Sequence, residues 1–282
     1  MKVGFIGAGK VGCSLGNYFM RNNIPVVGFY SRTQASASEA AKQCNTAHID
    51  KIDKILTMCD VLFLTVPDDA VAEVWKQVKA FPIEGKYICH CSGSLSSAVL
   101  SGIEETGAYG YSIHPMFPFK NMKTAYEDLK QALFTVEGDA DHMNILMDLL
   151  KLCGNQFVPI QKEDKGRYHA AAVYASNLMV GLISRSMKIL ETCGFCEEEA
   201  LCALKPLAVQ NLDNIFESGI ENALTGPVER HDVGTVNKHL QVLDEQEKDI
   251  YIALTKEIIQ VAETKHPDVS YADMKQLLEE EK

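Results

Sequence analysis

The sequence lacks any long apolar run and any excess of positive charge. No stretch approaches the roughly 18 consecutive apolar residues that a membrane-spanning helix needs, so we expect no membrane span. Asp and Glu number 38 against 27 Lys and Arg, which gives a formal net charge of -11. A broad nucleic-acid surface requires clustered Lys and Arg, so nucleic acid is not an expected partner. The first residues also lack the apolar core of a signal peptide, and we expect a cytoplasmic protein.

The cysteines show no pattern of a disulfide framework or a metal centre. Their number is nine, and an odd number without a signal peptide indicates reduced thiols. Cys193-Gly-Phe-Cys196 has the spacing of redox and zinc motifs, but no second Cys or His pair completes a metal site. Cys89, His90 and Cys91 fall on a predicted buried strand, where alternation sends the two Cys to one face and His to the other. We therefore predict no metal site.

What the sequence has is a regular alternation of apolar strands and helices in its first half. The predicted strands are 2–6, 24–30, 61–66, 87–91, 109–113, 132–137 and 156–160, and the predicted helices are 12–22, 33–43, 71–78 and 141–153. Strands and helices in alternation indicate a parallel sheet with right-handed crossovers. Nearly continuous apolar strands indicate a sheet that is covered on both faces.

The second half is predicted to be helical. The expected helices are 168–192, 196–218, 233–264 with a break, and 271–282. The polar run 161–166 separates the two patterns, and 282 residues suit two domains. We therefore predict an α/β fold: a Rossmann-type doubly wound parallel sheet over 1–163, followed by an all-helical domain over 164–282.

A glycine-rich turn follows the first predicted strand and opens the first helix. Its residues are Gly7, Ala8, Gly9, Lys10, Val11 and Gly12, which match G-x-G-x-x-G. In a strand–helix–strand context, this pattern is typical of dinucleotide binding. Gly7 permits the tight turn, Gly9 lets the backbone approach the pyrophosphate, and Gly12 allows close helix–strand packing. The helix N-terminus favours the phosphate charge. The alternative is a glycine-rich turn without a ligand.

The end of the second strand favours NADP over NAD. NAD sites place an acidic residue there to hold the ribose 2′-hydroxyl, whereas this chain has Ser31, Arg32 and Thr33. Arg32 can pair with a 2′-phosphate in bidentate fashion, and the two hydroxyls can add donors. The alternative is that Arg32 is a solvated loop residue.

Two further groups of small residues end strands at the edge of the sheet where ligands bind. They are Thr65, Val66 and Pro67 after one strand, and Ser92, Gly93 and Ser94 after the next. We expect the first group to border the ribose and nicotinamide, and the second to contact substrate. The second group also suits a strand-to-helix turn in which Ser94 or Ser96 caps a helix.

Three stretches of the sequence carry a resemblance to a known superfamily. They are Ser112-Ile113-His114-Pro115-Met116-Phe117, the segment 168–177 that begins Tyr168-His169-Ala170, and the segment 223–232 that begins Ala223-Leu224-Thr225-Gly226-Pro227. With the glycine fingerprint, they resemble the superfamily of β-hydroxyacid dehydrogenases, pyrroline-5-carboxylate reductases and prephenate dehydrogenases. The nearest likeness is to a branch that pairs a Rossmann-like domain with a C-terminal domain of unknown function, whose members are commonly labelled NADP oxidoreductases.

The resemblance implies a fold and a cofactor class, but no substrate. It implies a helical half similar to the C-terminal domain of 6-phosphogluconate dehydrogenase, through which two subunits pack as a homodimer. In this branch a Gly commonly follows the Arg of the third stretch, and His231 stands there instead.

Four residues are candidates for the chemistry. His114 resembles a His of prephenate dehydrogenases that interacts with the substrate hydroxyl, and His suits proton transfer near neutral pH; the alternative is a His that satisfies a local turn. Lys165, His169, Val173 and Asn177 are spaced i, i+4, i+8 and i+12, so they share one face if the helix extends back to Lys165. In β-hydroxyacid dehydrogenases a Lys and an Asn four residues apart face the nicotinamide; the nearest equivalents here are His169 with Val173 or Asn177, so that pair is not reproduced. We expect His169 and Asn177 to face the substrate. The alternative for that pair is helix packing. Arg230 suits a substrate carboxylate or an interdomain ion pair.

The sequence therefore predicts an NADP-dependent oxidoreductase. It would transfer a hydride to or from a small acidic hydroxy, keto or imino compound, with a proton donor close to the nicotinamide. The main alternative is a non-catalytic NADP-binding sensor or scaffold protein. A prephenate-dehydrogenase-like enzyme is a further reading that depends on the single stretch around His114.

Overall fold

The computed structural model describes residues 1–121 and 125–281. The chain divides into two compact units, Met1–Ala175 and Ser176–Lys282. The sequence predicts the domain boundary between 163 and 164, beside the polar run 161–166. The predicted and observed boundaries differ by the short segment that ends at Ala175. That segment is a helix that packs with the first unit.

The first unit is built on one eight-stranded sheet. Its strands are β1 (Val3–Ile6), β2 (Val26–Tyr30), β3 (Ala47–His48), β4 (Val61–Leu64), β5 (Tyr87–His90), β6 (Tyr109–Pro115), β7 (Phe134–Gly138) and β8 (Phe157–Pro159). The order is β3-β2-β1-β4-β5-β6-β7-β8. All neighbouring pairs are parallel except β6 and β7, which are antiparallel. The predicted Rossmann-type parallel sheet is confirmed.

In the described part of the chain, six α-helices lie between these strands, and a seventh follows the last strand. They are α1 (Lys10–Arg21), α2 (Gln34–Gln43), α3 (Ile52–Met58), α4 (Asp68–Val78), α5 (Ala125–Asp128), α6 (Met143–Leu152) and α7 (Lys165–Tyr174). The sequence did not predict β3 and α3, because elements of two and seven residues are too short to show a period.

The sheet is covered on both faces by apolar side chains. On one face Phe5 stacks on Phe29 and Phe63, with ring centroids 5.1 and 5.5 Å apart. On the other face, Leu62 and Trp75 belong to a second buried cluster. Burial of both faces explains why the strands are almost continuously apolar. It also leaves the carboxyl ends of the parallel strands as the edge where polar side chains collect.

The second unit is helical, as predicted. Its helices are α8 (Asn177–Thr192), α9 (Glu197–Ser218), α10 (Ile220–Ala223), α11 (Val233–Val242), α12 (Glu245–Lys265) and α13 (Ala272–Glu280). Its buried core includes Val236, Leu240, Ile259 and Leu278, which lie on α11, α12 and α13. The predicted break in 233–264 is confirmed; there Asp244 forms a capping box with Glu247.

Two predicted helices differ from the observed ones. The predicted helix 168–192 is wrong as a single element, because Ser176, with φ −130° and ψ −81°, separates α7 from α8. The helix predicted over 271–282 is α13, and the position 282 at its predicted end lies outside the described residues. None of the helices described is long and apolar enough to cross a membrane.

Candidate functional site

The glycine turn joins the ends of three neighbouring strands. Gly7 has φ +110°, its N–H donates to the Tyr30 carbonyl at 2.9 Å, and a Cβ there would lie 2.6 Å from the Thr65 carbonyl. The Thr65 hydroxyl donates to the Gly7 carbonyl at 2.8 Å. A Cβ on Gly12 would overlap both Gly7 and Thr65. The turn therefore requires glycine at both positions, and Thr65 fastens it to β4.

Gly9 differs from these two glycines. A Cβ on Gly9 would meet no atom within 4 Å, and its φ of −81° does not demand glycine. Gly9 precedes α1, whose N-terminus has no side-chain cap and no acidic residue in its first turn. The first N–H groups of a helix have no partner within the helix, so they remain available to an anion. This open, uncapped helix end fits the pyrophosphate of a dinucleotide.

The end of β2 lies beside this turn through the Gly7–Tyr30 hydrogen bond. Arg32 follows it, is exposed, and makes no hydrogen bond or ion pair with any described residue. The Thr33 hydroxyl shares a hydrogen bond with the Ser36 hydroxyl at 2.7 Å. Arg32 is therefore free to pair with a phosphate, and no acidic side chain at this strand end opposes one.

The loop after β5 is fixed by its own hydroxyl groups. Ser92 and Ser94 both donate to the Asp68 carboxylate, at 2.7 and 2.8 Å. The Ser92 hydroxyl also accepts from the backbone N–H of Leu95 at 2.9 Å. Ser96 precedes a short 3₁₀ turn, but its side chain makes no capping hydrogen bond. These hydroxyls shape the loop, and Asp68, at the start of α4, holds them.

Two imidazoles face Gly93 in this loop. A Cβ on Gly93 would lie 2.6 Å from Nδ1 of His169 and 3.0 Å from Nε2 of His114. The two rings meet edge to face, with centroids 6.2 Å apart. Nδ1 of His169 is buried and has no hydrogen-bond partner. Only glycine at position 93 therefore allows both rings to approach the loop.

His114 is oriented by Tyr168 on α7. Its Nδ1 lies 2.6 Å from the Tyr168 hydroxyl, while its Nε2 has no hydrogen bond to a described residue. Burial, and then the cation of Lys165, lower the pKa of His114 to about 4. The imidazole is therefore neutral near pH 7, with one nitrogen engaged and the other directed toward the loop.

Lys165 is the first residue of α7 and is buried, with 2% of its surface exposed. Its Nζ donates to the Ser92 carbonyl at 2.9 Å and to the Ser112 hydroxyl at 2.7 Å. Burial lowers the pKa of Lys165 to about 8, although Glu137 and Asp68 oppose that effect. An ammonium group thus lies directly behind the loop that carries Gly93.

The strand β5 follows the predicted alternation. Cys89 is buried in the apolar cluster of one face, with Cys91 packed against it. His90 faces the other way: its Nε2 lies 3.2 Å from the Ser96 carbonyl, and its Nδ1 accepts from the Ser92 N–H. Among the residues described, no group of three His, Cys, Asp or Glu could hold a metal ion.

Asn177 and Arg230 belong to the second unit. Asn177 is the first residue of α8, so the helical spacing that grouped it with His169 does not apply across the break. Arg230 is exposed and forms no ion pair with a described residue. His231, beside it, has φ +55°, a conformation that favours glycine. Its Nε2 contacts Asp273 at 2.8 Å, which helps hold the residue there.

The sequence interpretation missed part of this cluster. Asp68, Ser112 and Tyr168 were not identified as site residues. The sequence places Lys165 and His169 on one helix face on the condition that the helix extends back to Lys165, and α7 does begin there. Tyr168, three residues after Lys165, lies on the same face. The helix therefore has a Lys–His pair four residues apart, where the β-hydroxyacid dehydrogenases have Lys and Asn.

Two family models match the chain. Residues 1–115 match the Rossmann-like domain, and residues 132–258 match a domain of unknown function, DUF2520. No protein with a curated description matches the sequence.

Several solved structures are similar along almost the whole chain. Protein TM1727 from Thermotoga maritima is 28% identical over 93% of this chain and 98% of its own, with a TM-score of 0.74. BF3122 from Bacteroides fragilis, which is assigned as an NADP oxidoreductase, is 21% identical over 94% of this chain and 98% of its own, with a TM-score of 0.66.

A third similar structure has a cofactor bound. Pyrroline carboxylate reductase from Plasmodium falciparum, with NADP bound, is 14% identical over 94% of this chain and 97% of its own, with a TM-score of 0.59. At this identity the likeness shows the fold. The family models give the more specific result: the chain combines a Rossmann-like domain with a DUF2520 domain, as the sequence resemblance implied.

Proposed function

We propose that this protein is an NADP-dependent oxidoreductase that transfers a hydride to or from a small acidic hydroxy, keto or imino compound. The observation that carries the proposal is the open, uncapped helix end at Gly9 on the same sheet edge as the free Nε2 of His114. The carboxyl ends of parallel strands are where open α/β sheets bind ligands.

The residues at this edge fall into two groups with different tasks. The turn from Gly7 to Gly12 would hold the pyrophosphate, and Ser31, Arg32 and Thr33 would hold the 2′-phosphate. Thr65, Val66 and Pro67 would border the ribose and nicotinamide. When bound, the cofactor supplies or accepts the hydride, and His114 exchanges the proton. The names of the similar structures, which include an assigned NADP oxidoreductase and a reductase with NADP bound, support this assignment.

Two residues of the second unit stay predictions from the sequence: Arg230 as the partner of a substrate carboxylate, and Asn177 as a substrate contact. Both side chains are exposed within that unit. We also propose a homodimer through α8 and α9. In its support, Ala200 is the only described residue of these two long helices that is fully buried. A helix with no buried face gains little stability in water.

A single substitution in the glycine turn tests cofactor binding. Gly9→Val adds a side chain in the space proposed for the pyrophosphate, and its Cβ would meet no protein atom within 4 Å. We expect the protein to fold normally and to lose NADPH affinity at least 100-fold in a fluorescence titration. Gly234→Val is the matched control, because Gly234 lies on α11 and its added Cβ would make one ordinary contact, 3.7 Å from Oδ1 of Asp232. Unchanged NADPH affinity in Gly9→Val would contradict the proposed site.

A further inference from the structure

We propose that the site takes a carbonyl–hydroxyl couple and not an imine–amine couple, with the reacting oxygen held at Nε2 of His114. This inference rests on the proposed oxidoreductase function and narrows its substrate class. The argument for this substrate class is that a positive charge, that of Lys165, lies behind the Gly93 loop.

The Lys165 ammonium is the buried charge that contacts the backbone of this loop, and it has no ion-pair partner among the described residues. Its two hydrogen bonds go to neutral oxygens, the Ser92 carbonyl and the Ser112 hydroxyl. The positive charge of Lys165 therefore lies beside this loop and is not neutralised by an ion pair there. Because it is buried, water screens it poorly.

The two nearby carboxylates bind neutral groups and not Lys165. Glu137 accepts from both the backbone N–H and the hydroxyl of Ser97, each at 2.6 Å. Asp68 accepts from the loop hydroxyls and is exposed, so water screens its charge. At the imidazole of His114, the effect of Lys165 is larger than the opposing effect of Asp68.

The pKa of His114 shows which of these charges has the larger effect where substrate would bind. Burial is the largest influence that lowers its pKa, followed by Lys165 and then His169, and the opposing effect of Asp68 is smaller than these. A positive charge beside His114 is therefore disfavoured. An iminium substrate carries such a charge, whereas a carbonyl oxygen gains negative charge as the hydride arrives. Preorganised positive charge stabilises that developing oxyanion.

The proton that the oxygen needs can come from the His114–Tyr168 pair. In reduction, the carbonyl carbon gains the hydride supplied by the cofactor, the C=O π pair moves to oxygen, and oxygen takes the proton from Nε2 of His114. In the same step Nδ1 takes the proton of the Tyr168 hydroxyl, 2.6 Å away, so the imidazole stays neutral. Afterwards Nε2 regains a proton from solvent, and Nδ1 returns its proton to the Tyr168 oxygen. Burial raises the pKa of Tyr168 and so disfavours the phenolate; the Lys165 ammonium, whose Nζ lies 5.6 Å from the ring centroid, opposes that effect by its charge.

The first experiment compares substrates on the unmodified protein. NADPH consumption is followed with 2-oxo acids of different chain length and with five- and six-membered cyclic imino acids. We expect kcat/KM to be at least 100-fold higher for the best oxo acid than for any imino acid. A preference for imino acids, or turnover of neither by protein that binds NADPH, would overturn the inference. Failure of NADPH binding itself would instead show that the proposed function is wrong.

The second experiment needs no turnover. With NADP present, oxamate, a carbonyl analogue with a carboxylate, should bind in calorimetry, and the cationic ring of proline should not. Lys165→Met should weaken oxamate binding at least 10-fold, and Lys162→Met, which removes an exposed lysine paired with Glu163, should not. Tighter binding of proline than of oxamate would overturn the inference. The comparison on the unmodified protein stands even if Lys165→Met does not fold.

Discussion

At the scale of single residues, the site depends on side chains that the sequence marks only in part. Arg32 could be identified because an expected acid is missing, and His114 because it ends a strand. The contact between His114 and Tyr168 joins positions 54 residues apart. The loop hydroxyls likewise meet Asp68 from a different strand end. No local spacing encodes such pairs, which is why Tyr168 and Asp68 were found only in the structure.

The buried His90 makes stability dependent on pH. Burial lowers the pKa of His90 to about 4, below the unfolded value of about 6.5. The unfolded chain therefore binds more protons between these values, so this stability is complete above about pH 6.5 and is lost as pH falls toward 4. His114 acts in the same direction.

Urea unfolding at pH 7.5 and pH 4.5 measures this effect. We expect the contribution of His90 to fall by about 2–3 kcal/mol between the two, and His90→Gln to show correspondingly less pH dependence. His48→Gln is the control on a less buried histidine of the same unit. If His90→Gln kept the full pH dependence, His90 would not be its source.

At the scale of elements, periodicity predicted most strands and helices but not their interruptions. The chain from 168 to 192 keeps a helical pattern without Gly or Pro at the break, so the turn at Ser176 could not be seen. The glycine turn was predicted completely, because backbone geometry at Gly7 and Gly12 requires that residue type. The apolar residues of α8 and α9, in contrast, suggest burial, and their exposure could not be predicted from the sequence.

The exposed faces of α8 and α9 lead to a prediction about assembly. Val180 on α8 is 70% exposed and Phe216 on α9 is 85% exposed, so burial against a second copy would remove apolar surface from water. Light scattering at micromolar concentration should give twice the chain mass. The double substitution Val180→Glu with Phe216→Glu should give the single chain mass, and Val242→Glu, at an equally exposed position of α11, should not. A monomeric unmodified protein would refute the proposed homodimer.

At the scale of the whole molecule, a net charge of -11 gives no sign of a phosphate site. The fold brings the uncapped start of α1 and Arg32 to one edge of the sheet. A small local site on an acidic protein can therefore favour an anion. The alternation of strands and helices predicts a parallel sheet, and therefore that the strand ends that carry these groups share one edge; the order of the strands came from the structure. The substrate side of the site depends on contacts between distant segments and needed the structure.

A titration with NADPH and with NADH, on the unmodified protein and on Arg32→Ala, tests the proposed cofactor site. We expect NADPH to bind more tightly than NADH, and Arg32→Ala to weaken NADPH binding at least 10-fold, about 1.4 kcal/mol, while NADH binding stays the same. Lys42→Ala, on the exposed face of α2, should change neither. Equal affinity for both cofactors in both proteins, or no binding of either, would contradict the account.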